Sequence, residues 1–310
     1  MFDRIVLITK LTPLEELIER FNSRAQAKFY IEHSGASFTE YEQAHDAYHA
    51  SADRIRKLLP QDVKMHCIER SFVPNYLFGG NDLVATLGPD GLVINVAKYL
   101  NNQPILAVNP DTKRVDGIMV PFSVETAHAE INRILEGDFT VDEITMAKAT
   151  LNDGQELYGV NDLFIGPRSH ISLRCTVHFD GKSEDQCSSG IIVTTGAGST
   201  AWFRAIIAGA RGVVKAFDNI PAFAERPHRF DWGADHLYFS VREPFESSTS
   251  HANIVFGRIT PDRPLEVVSQ MPQNGVIFSD GIEKDFLEFN SGRTAAIAVA
   301  EKKARLIRNE

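Results

Sequence analysis

Three cysteines, Cys67, Cys175 and Cys187, are all that 310 residues contain. Their odd number and spacing exclude a disulfide framework and a cysteine-built zinc site, and fit a reducing compartment. No run of about 18 apolar residues occurs, so no membrane span is expected. The opening MFDRIVLITK is too short and too charged for a signal peptide. Positive charge is in deficit: the net charge of −9 sets aside a general nucleic-acid binder, which needs a basic surface. There is no Walker A motif, which excludes a P-loop kinase. Neither a repeat of solenoid length nor a low-complexity segment is present. What remains is 43% hydrophobic and 24% charged, ordinary for a soluble chain long enough for two domains. A cytoplasmic protein of enzyme size is expected.

The organising stretch is Asp82–Ala97, DLVATLGPDGLVINVA. An apolar run over Leu83–Leu87 ends in Gly88-Pro89-Asp90-Gly91, and apolar residues then recur at helical spacing over Leu92–Leu100. The pattern predicts strand, tight turn and helix, with one acid at the carboxyl end of the strand, where open α/β sheets place ligands. At that point Asp90 is either the cap of its helix or a chemical tool.

Ile5–Ile8 reads as a buried strand, and Thr12-Pro13 with Glu15 as a capped helix start. Arg20, Arg24 and Lys28 on that side form a solvated face rather than a phosphate site. Phe38–Leu59 is predicted to be a long helix, ended by Pro60. On it His45 and His49 stand four apart on one face, but a metal site needs three or four convergent ligands, so no metal is expected. Strands at Val63–Ile68, Leu83–Leu87 and Pro104–Val108 complete an alternation of strand and helix that argues for a parallel, doubly wound sheet. Past Pro121 comes a helix over Val124–Leu135. Short strands follow, punctuated by Asp153-Gly154, Asp180-Gly181 and Asp280-Gly281, with one helix near Thr200–Val214. The expected fold is therefore an α/β, Rossmann-like parallel-sheet domain over 1–122, then a β-rich, sandwich-like domain over 123–310.

Gly196-Ala197-Gly198-Ser199-Thr200-Ala201 follows an apolar strand and fits G-x-G-x-x-A. Glycines let a backbone approach a ligand closely, a helix start offers N–H donors, and Ser199 and Thr200 add hydroxyls. Trp202 offers a flat face for a base; the alternative is a helix cap beside a core tryptophan. Asn161-Asp162 opens a strand, and an amide beside a carboxylate can hold two ribose hydroxyls or an adenine edge; such pairs are also common in turns. Arg168, Arg174, Lys182 and Arg204 are scattered cations that could meet phosphate.

Four of these segments, in this order, resemble the NAD kinase family. DLVATLGPDGLVINVA is similar to its strand and GGDG loop, and LAVNP, ending at Asn109 and Pro110, to its GVN strand. GVNDLFIG is similar to its Asn-Glu/Asp motif, and SSGIIVTTGAGSTAWFRA to its glycine-rich segment. The likeness is good over about residues 80–210, is looser in the tail FSDGIEKDF, and leans toward the divergent, mitochondrial-type branch. The resemblance implies two domains, with the C-terminal tail packing back on the first, and phosphoryl transfer from ATP, with Mg²⁺, to the 2′-hydroxyl of the adenosine ribose of NAD. It marks Asp90 as the general base, within a loop whose Gly88 and Gly91 would meet the nucleotide. It gives Asn109, Asn161, Asp162, Ser199, Thr200, Ala201 and Trp202 to nucleotide binding. A cytoplasmic homodimer that binds small nucleotides, with no nucleic-acid or membrane partner, goes with it. The chain departs from the family at Pro89, which stands for a glycine, at Leu92 for a threonine, at Ser189 for an aspartate, and at Gly196-Ala197 for Pro-Thr. Two other readings stand beside it: a nucleotide-binding protein without turnover, which Pro89 and Leu92 support, and a kinase for a sugar or lipid acceptor, since diacylglycerol-type kinases share a GGDG loop, although Asn161-Asp162 and the Gly198–Trp202 segment favour a dinucleotide.

Overall fold

The structure, a computed structural model, describes residues 2–58, 60, 63–217 and 228–309. It divides into two compact units, Met1–Asp142 with Arg305–Glu310, and Glu143–Ala304. The expected boundary after residue 122 falls too early. The helix Val124–Leu135 buries Ala127, Ile131 and Ile134 in the core of the first unit, so that unit runs on to Asp142.

The first unit contains β1 (Arg4–Thr9), α1 (Pro13–Phe21), α2 (Arg24–His33), α3 (Phe38–Leu58), β2 (Lys64–Glu69), β3 (Asp82–Leu87), α4 (Asp90–Ala97), β4 (Pro104–Asn109), β5 (Phe122–Ser123) and α5 (Val124–Leu135). The strands run parallel in the order β2-β1-β3-β4. Val6 stands opposite Val84, and Val84 opposite Ile105. Beyond β4 the sheet gains Arg305 and Leu306, parallel to Pro104 and Ile105. Every residue of β3 and β4 is buried, as apolar runs in a parallel sheet covered by helices should be. Ile5, Leu7, Leu83, Leu106 and Val108 form the core, closed by Tyr48 and Ile55 of α3 and by Ile131 of α5. Among the described residues no helix is long and apolar enough to cross a membrane.

The second unit is mainly β. It comprises β6 (Val141–Leu151), β7 (Glu156–Gly159), β8 (Asp162–Pro167), β9 (Leu173–Phe179), β10 (Lys182–Ser188), β11 (Ile191–Thr194), α6 (Trp202–Phe217), β12 (Leu237–Val241), β13 (Phe256–Ile259), β14 (Leu265–Ser269), β15 (Gly275–Ser279), β16 (Ile282–Glu288) and β17 (Thr294–Ile307). One antiparallel sheet has the order β13-β12-β11-β8-β15-β16, and a second layer includes β10-β9-β14-β17. Leu163, Ile165, Ile191, Val193 and Phe239 from the first meet Val177, Val267 and Ile297 from the second in one core, the packing of a β-sandwich. Asp180-Gly181 and Asp280-Gly281 have positive φ at both residues, as tight hairpin turns between twisted strands require.

Candidate functional site

In the first unit the site is built on the turn between β3 and α4. The Gly88 N–H donates to the Val108 carbonyl at 3.0 Å. A Cβ on Gly88 would lie 2.8 Å from Leu92 Cδ2, so glycine lets the turn close on the buried Leu92. Pro89 occupies the cap position and makes no capping bond; Asp90 is the first residue of α4. Asp90 is therefore not the cap of its helix. Its Oδ2 accepts from the Ile118 N–H at 3.0 Å and its Oδ1 from the Met119 N–H at 2.9 Å. Two peptide hydrogens thus orient a half-buried carboxylate at a helix N-terminus, where the dipole favours negative charge.

Asn109, buried at the end of β4, shapes the same loop. Its Nδ2 donates to the Val115 carbonyl at 2.8 Å and its Oδ1 accepts from the Asp111 N–H at 2.9 Å. The amide thus fixes the segment that carries Ile118 and Met119. Gly91 is exposed and a Cβ there would meet nothing.

In the second unit three segments converge. Asn161 precedes β8 and Asp162 opens it, the Gly196–Thr200 loop follows β11, and the Asp280 turn joins β15 to β16. The Asp280 carboxylate accepts the N–H groups of Val160 at 3.0 Å, Asn161 at 2.7 Å and Asp162 at 3.2 Å. From the other side, the Thr195 N–H donates to the Asn161 carbonyl at 3.0 Å and Thr195 Oγ1 to the Val160 carbonyl at 2.5 Å. Gly198 passes so close that a Cβ would lie 2.2 Å from the Asn161 oxygen, which only glycine permits. Ser199 is fully buried and its hydroxyl donates to the Gly196 carbonyl at 2.6 Å; Thr200 Oγ1 reaches the Ala197 carbonyl at 3.4 Å. The 3₁₀ turn Gly198–Thr200 breaks at Ala201 (φ −103°, ψ −115°), and α6 starts at Trp202.

Two buried side-chain oxygens in this cluster, Asn161 Oδ1 and Asp162 Oδ1, have no hydrogen-bond partner. Buried polar groups are almost always paired, and of the six such oxygens among the described residues these are the two on adjacent residues, so a ligand bonding both would satisfy them together. Burial, joined by the nearby Asp280 charge and opposed by a Thr194 hydrogen bond, pushes the Asp162 carboxyl up to about 7. Near neutral pH it can therefore donate as well as accept.

Trp202 faces elsewhere. Its ring stacks on Phe164 at 5.8 Å and 13°, and the Arg242 guanidinium lies 5.6 Å from it. They wall a pocket of about 360 Å³ with Arg168, Phe278 and Phe286, and Asn161, Asp162 and Thr200 do not line it. Of the scattered cations Arg168 lies in this pocket, 4.5 Å from the Phe286 ring. Arg24 instead pairs with Glu42 at 2.6 Å and Lys28 with Glu32 at 3.8 Å, as a solvated face would. Asp280 was missed from sequence, where Asp-Gly signals only a hairpin turn. Phe164 and Arg242 carry no local signal at all.

No family model matches the chain. Curated relatives do. The NAD kinase of Thermococcus sibiricus is 32% identical over 128 residues, 39% of this chain and 44% of that protein. That of Clostridium kluyveri is 27% identical over the same length and shares. That of Caldicellulosiruptor saccharolyticus is 24% identical over 230 residues, 73% of this chain and 76% of its own. The chain thus spans less than half the length of the first two, 44% of each. Among solved structures, the NAD kinase from Archaeoglobus fulgidus in complex with ATP superposes with a TM-score of 0.54 at 15% identity, over 99% of this chain and 94% of that one. Yeast NADH kinase complexed with NADH gives 0.57 at 15% identity, over 98% and 83%. The chain has the two-part fold of the NAD kinases, and it resembles them in sequence.

Proposed function

We propose that the chain transfers a phosphoryl group from ATP to the 2′-hydroxyl of the adenosine ribose of NAD. The observation that carries this reading is the pair of buried, unpartnered oxygens on Asn161 and Asp162, held beside a glycine loop. An amide and a carboxyl side by side suit the vicinal hydroxyls of a ribose. The likeness to proteins named NAD kinase supplies the substrate and the donor. Asp90 acts as general base. Of about four acceptor sites on its carboxylate two take peptide hydrogens, which leaves capacity for a hydroxyl proton. The turn offers that one carboxylate and no cage of ligands, so Mg²⁺ would arrive on the ATP phosphates and neutralise their charge there. Trp202 and Phe164 offer a stacking face for a base, and Arg168 and Arg242 beside them suit a phosphate. The reading includes a cytoplasmic homodimer, whose mass in solution light scattering measures.

The test is NADP formation from NAD, ATP and Mg²⁺ by the purified chain. Turnover that disappears without ATP supports the proposal. A chain that binds NAD tightly yet forms no NADP with any donor sinks it. The second reading, a binding protein without turnover, would then hold; it is favoured by Leu92, which presents a buried methyl where the resemblance has a hydroxyl.

A further inference from the structure

The two histidines of α3 gain a third partner that the sequence did not disclose. Thr12 and Glu15 form a capping box at the start of α1: the Thr12 N–H donates to Glu15 Oε2 at 2.7 Å, and Thr12 Oγ1 accepts from the Glu15 N–H at 3.3 Å. The carboxylate so fixed faces α3, where Glu15 Oε1 lies 2.9 Å from His49 Nε2. Thr12 Oγ1 also lies 2.9 Å from His45 Nδ1. One ligand atom from each of Glu15, His45 and His49 falls within 4.8 Å of the other two, and among the described residues no other three His, Cys, Asp or Glu side chains do so.

We propose that Glu15, His45 and His49 form a binding site for a divalent transition-metal ion, best suited to zinc. Two imidazoles and one carboxylate are donors that zinc accepts, and three protein ligands leave a fourth position for water. Magnesium and calcium want oxygen, so two imidazoles select against both. With metal–ligand bonds of about 2.0–2.2 Å, neighbouring ligand atoms in a tetrahedron stand about 3.4 Å apart. The 2.9 Å contact opens slightly and the wider gaps close, which the half-exposed His49 ring and the Glu15 side chain can accommodate by rotation. Thr12 touches both Glu15 and His45, the orienting contact that metal ligands usually have behind them. His49 also follows Tyr48, whose hydroxyl accepts from the Lys10 N–H at 2.9 Å and donates to the Leu87 carbonyl at 3.1 Å. The ion would therefore fasten α1 to α3 beside the ends of β1 and β3. This site does not depend on the reading of Asp90.

The experiment is calorimetry and equilibrium dialysis of the chelator-treated full chain with Zn²⁺ alone, repeated in millimolar Mg²⁺. One zinc per chain is expected, undisturbed by Mg²⁺, with a melting temperature that rises as zinc is added. His49→Gln, at a half-exposed position, should fold normally by circular dichroism. It should weaken binding by more than the ~100-fold upper figure for losing a mere orienting contact. Glu15→Gln should do likewise. Cys67 is exposed and is the control. Binding that survives His49→Gln and Glu15→Gln, or that vanishes in Cys67→Ser, overturns the proposal, as does substoichiometric zinc on the parent chain.

Discussion

The Oδ1 atom of Asp280 lies 2.7 Å from the peptide nitrogen of Asn161, although 119 positions separate them. The turn between β15 and β16 thereby holds the entry into β8, Val160 to Asp162, through three peptide hydrogens. Asp280 sits at φ 55°, a conformation that asparagine also tolerates. Asp280→Asn should thus keep the turn, but its amide nitrogen cannot accept, so either the Val160 N–H or the Asn161 and Asp162 N–H groups lose their acceptor. A loss of about 1–3 kcal/mol in unfolding free energy by urea titration is expected. Unchanged stability would show that Asp280 does not anchor the strand.

Asp162 makes stability depend on pH in an unusual direction. Its carboxyl is raised from an ordinary 3.8 to about 7, chiefly by burial. Between those values the folded chain binds the extra proton, so the contribution of Asp162 is full below about pH 4, falls as pH rises to about 7, and is flat above. Urea midpoints measured across that window should show the fall, and Asp162→Asn should remove it. A slope that persists in the variant belongs to another group.

Asp90→Asn separates chemistry from structure. An amide nitrogen cannot accept a hydrogen bond, so one of the Ile118 and Met119 N–H groups loses its partner, which costs about 1 kcal/mol of stability. Under the proposed reaction kcat should fall by about 10²–10⁴, the usual share of a general base, with NAD affinity little changed. A variant that turns over at the parent rate would leave Asp90 as a positioner of its loop.

Trp202→Ala tests the aromatic pocket. Removing one face of the Phe164 stack should weaken nucleotide binding by about 1–3 kcal/mol, the value of an aromatic–base contact. Calorimetry with NAD and with ATP separately would show which of them uses it. Equal affinities in variant and parent for both would leave the pocket without a nucleotide.

Local chemistry was legible in the sequence and long-range chemistry was not. The capping box of Thr12 and Glu15, the stop of α3 before Pro60 and the span of α5 all follow from signals within a few residues. The alternation giving the parallel sheet was equally plain. α2 carries little sequence signal because it buries only Ala27 and Ile31. β10 carries no apolar strand pattern because its inward residues are Glu184, Gln186 and Ser188. There Glu184 accepts the N–H groups of Asn253 and Ile254, so the buried face is polar and its alternation looks inverted. The charges of Glu301, Lys302 and Lys303 likewise leave the second half of β17 without an apolar strand pattern. At the candidate site, the glycine spacing and the Asn161-Asp162 pair are visible in the chain itself. The hold of Asp280 and the turning of Trp202 toward Phe164 join positions too distant in sequence for any spacing to reveal.

The pairing of Arg305 and Leu306 with β4 has a consequence for the order in which the chain becomes structured on a ribosome. The second unit is one unbroken stretch and has all its residues once Ala304 has emerged. The first unit, although synthesised earlier, lacks part of its sheet until the residues after Ala304 follow. Until then β4 presents open backbone at Pro104 and Ile105, an edge to which foreign strands can add. The half of the molecule made first is thus the half completed last, and a nascent chain halted at Ala304 would carry a finished sandwich and an unguarded sheet.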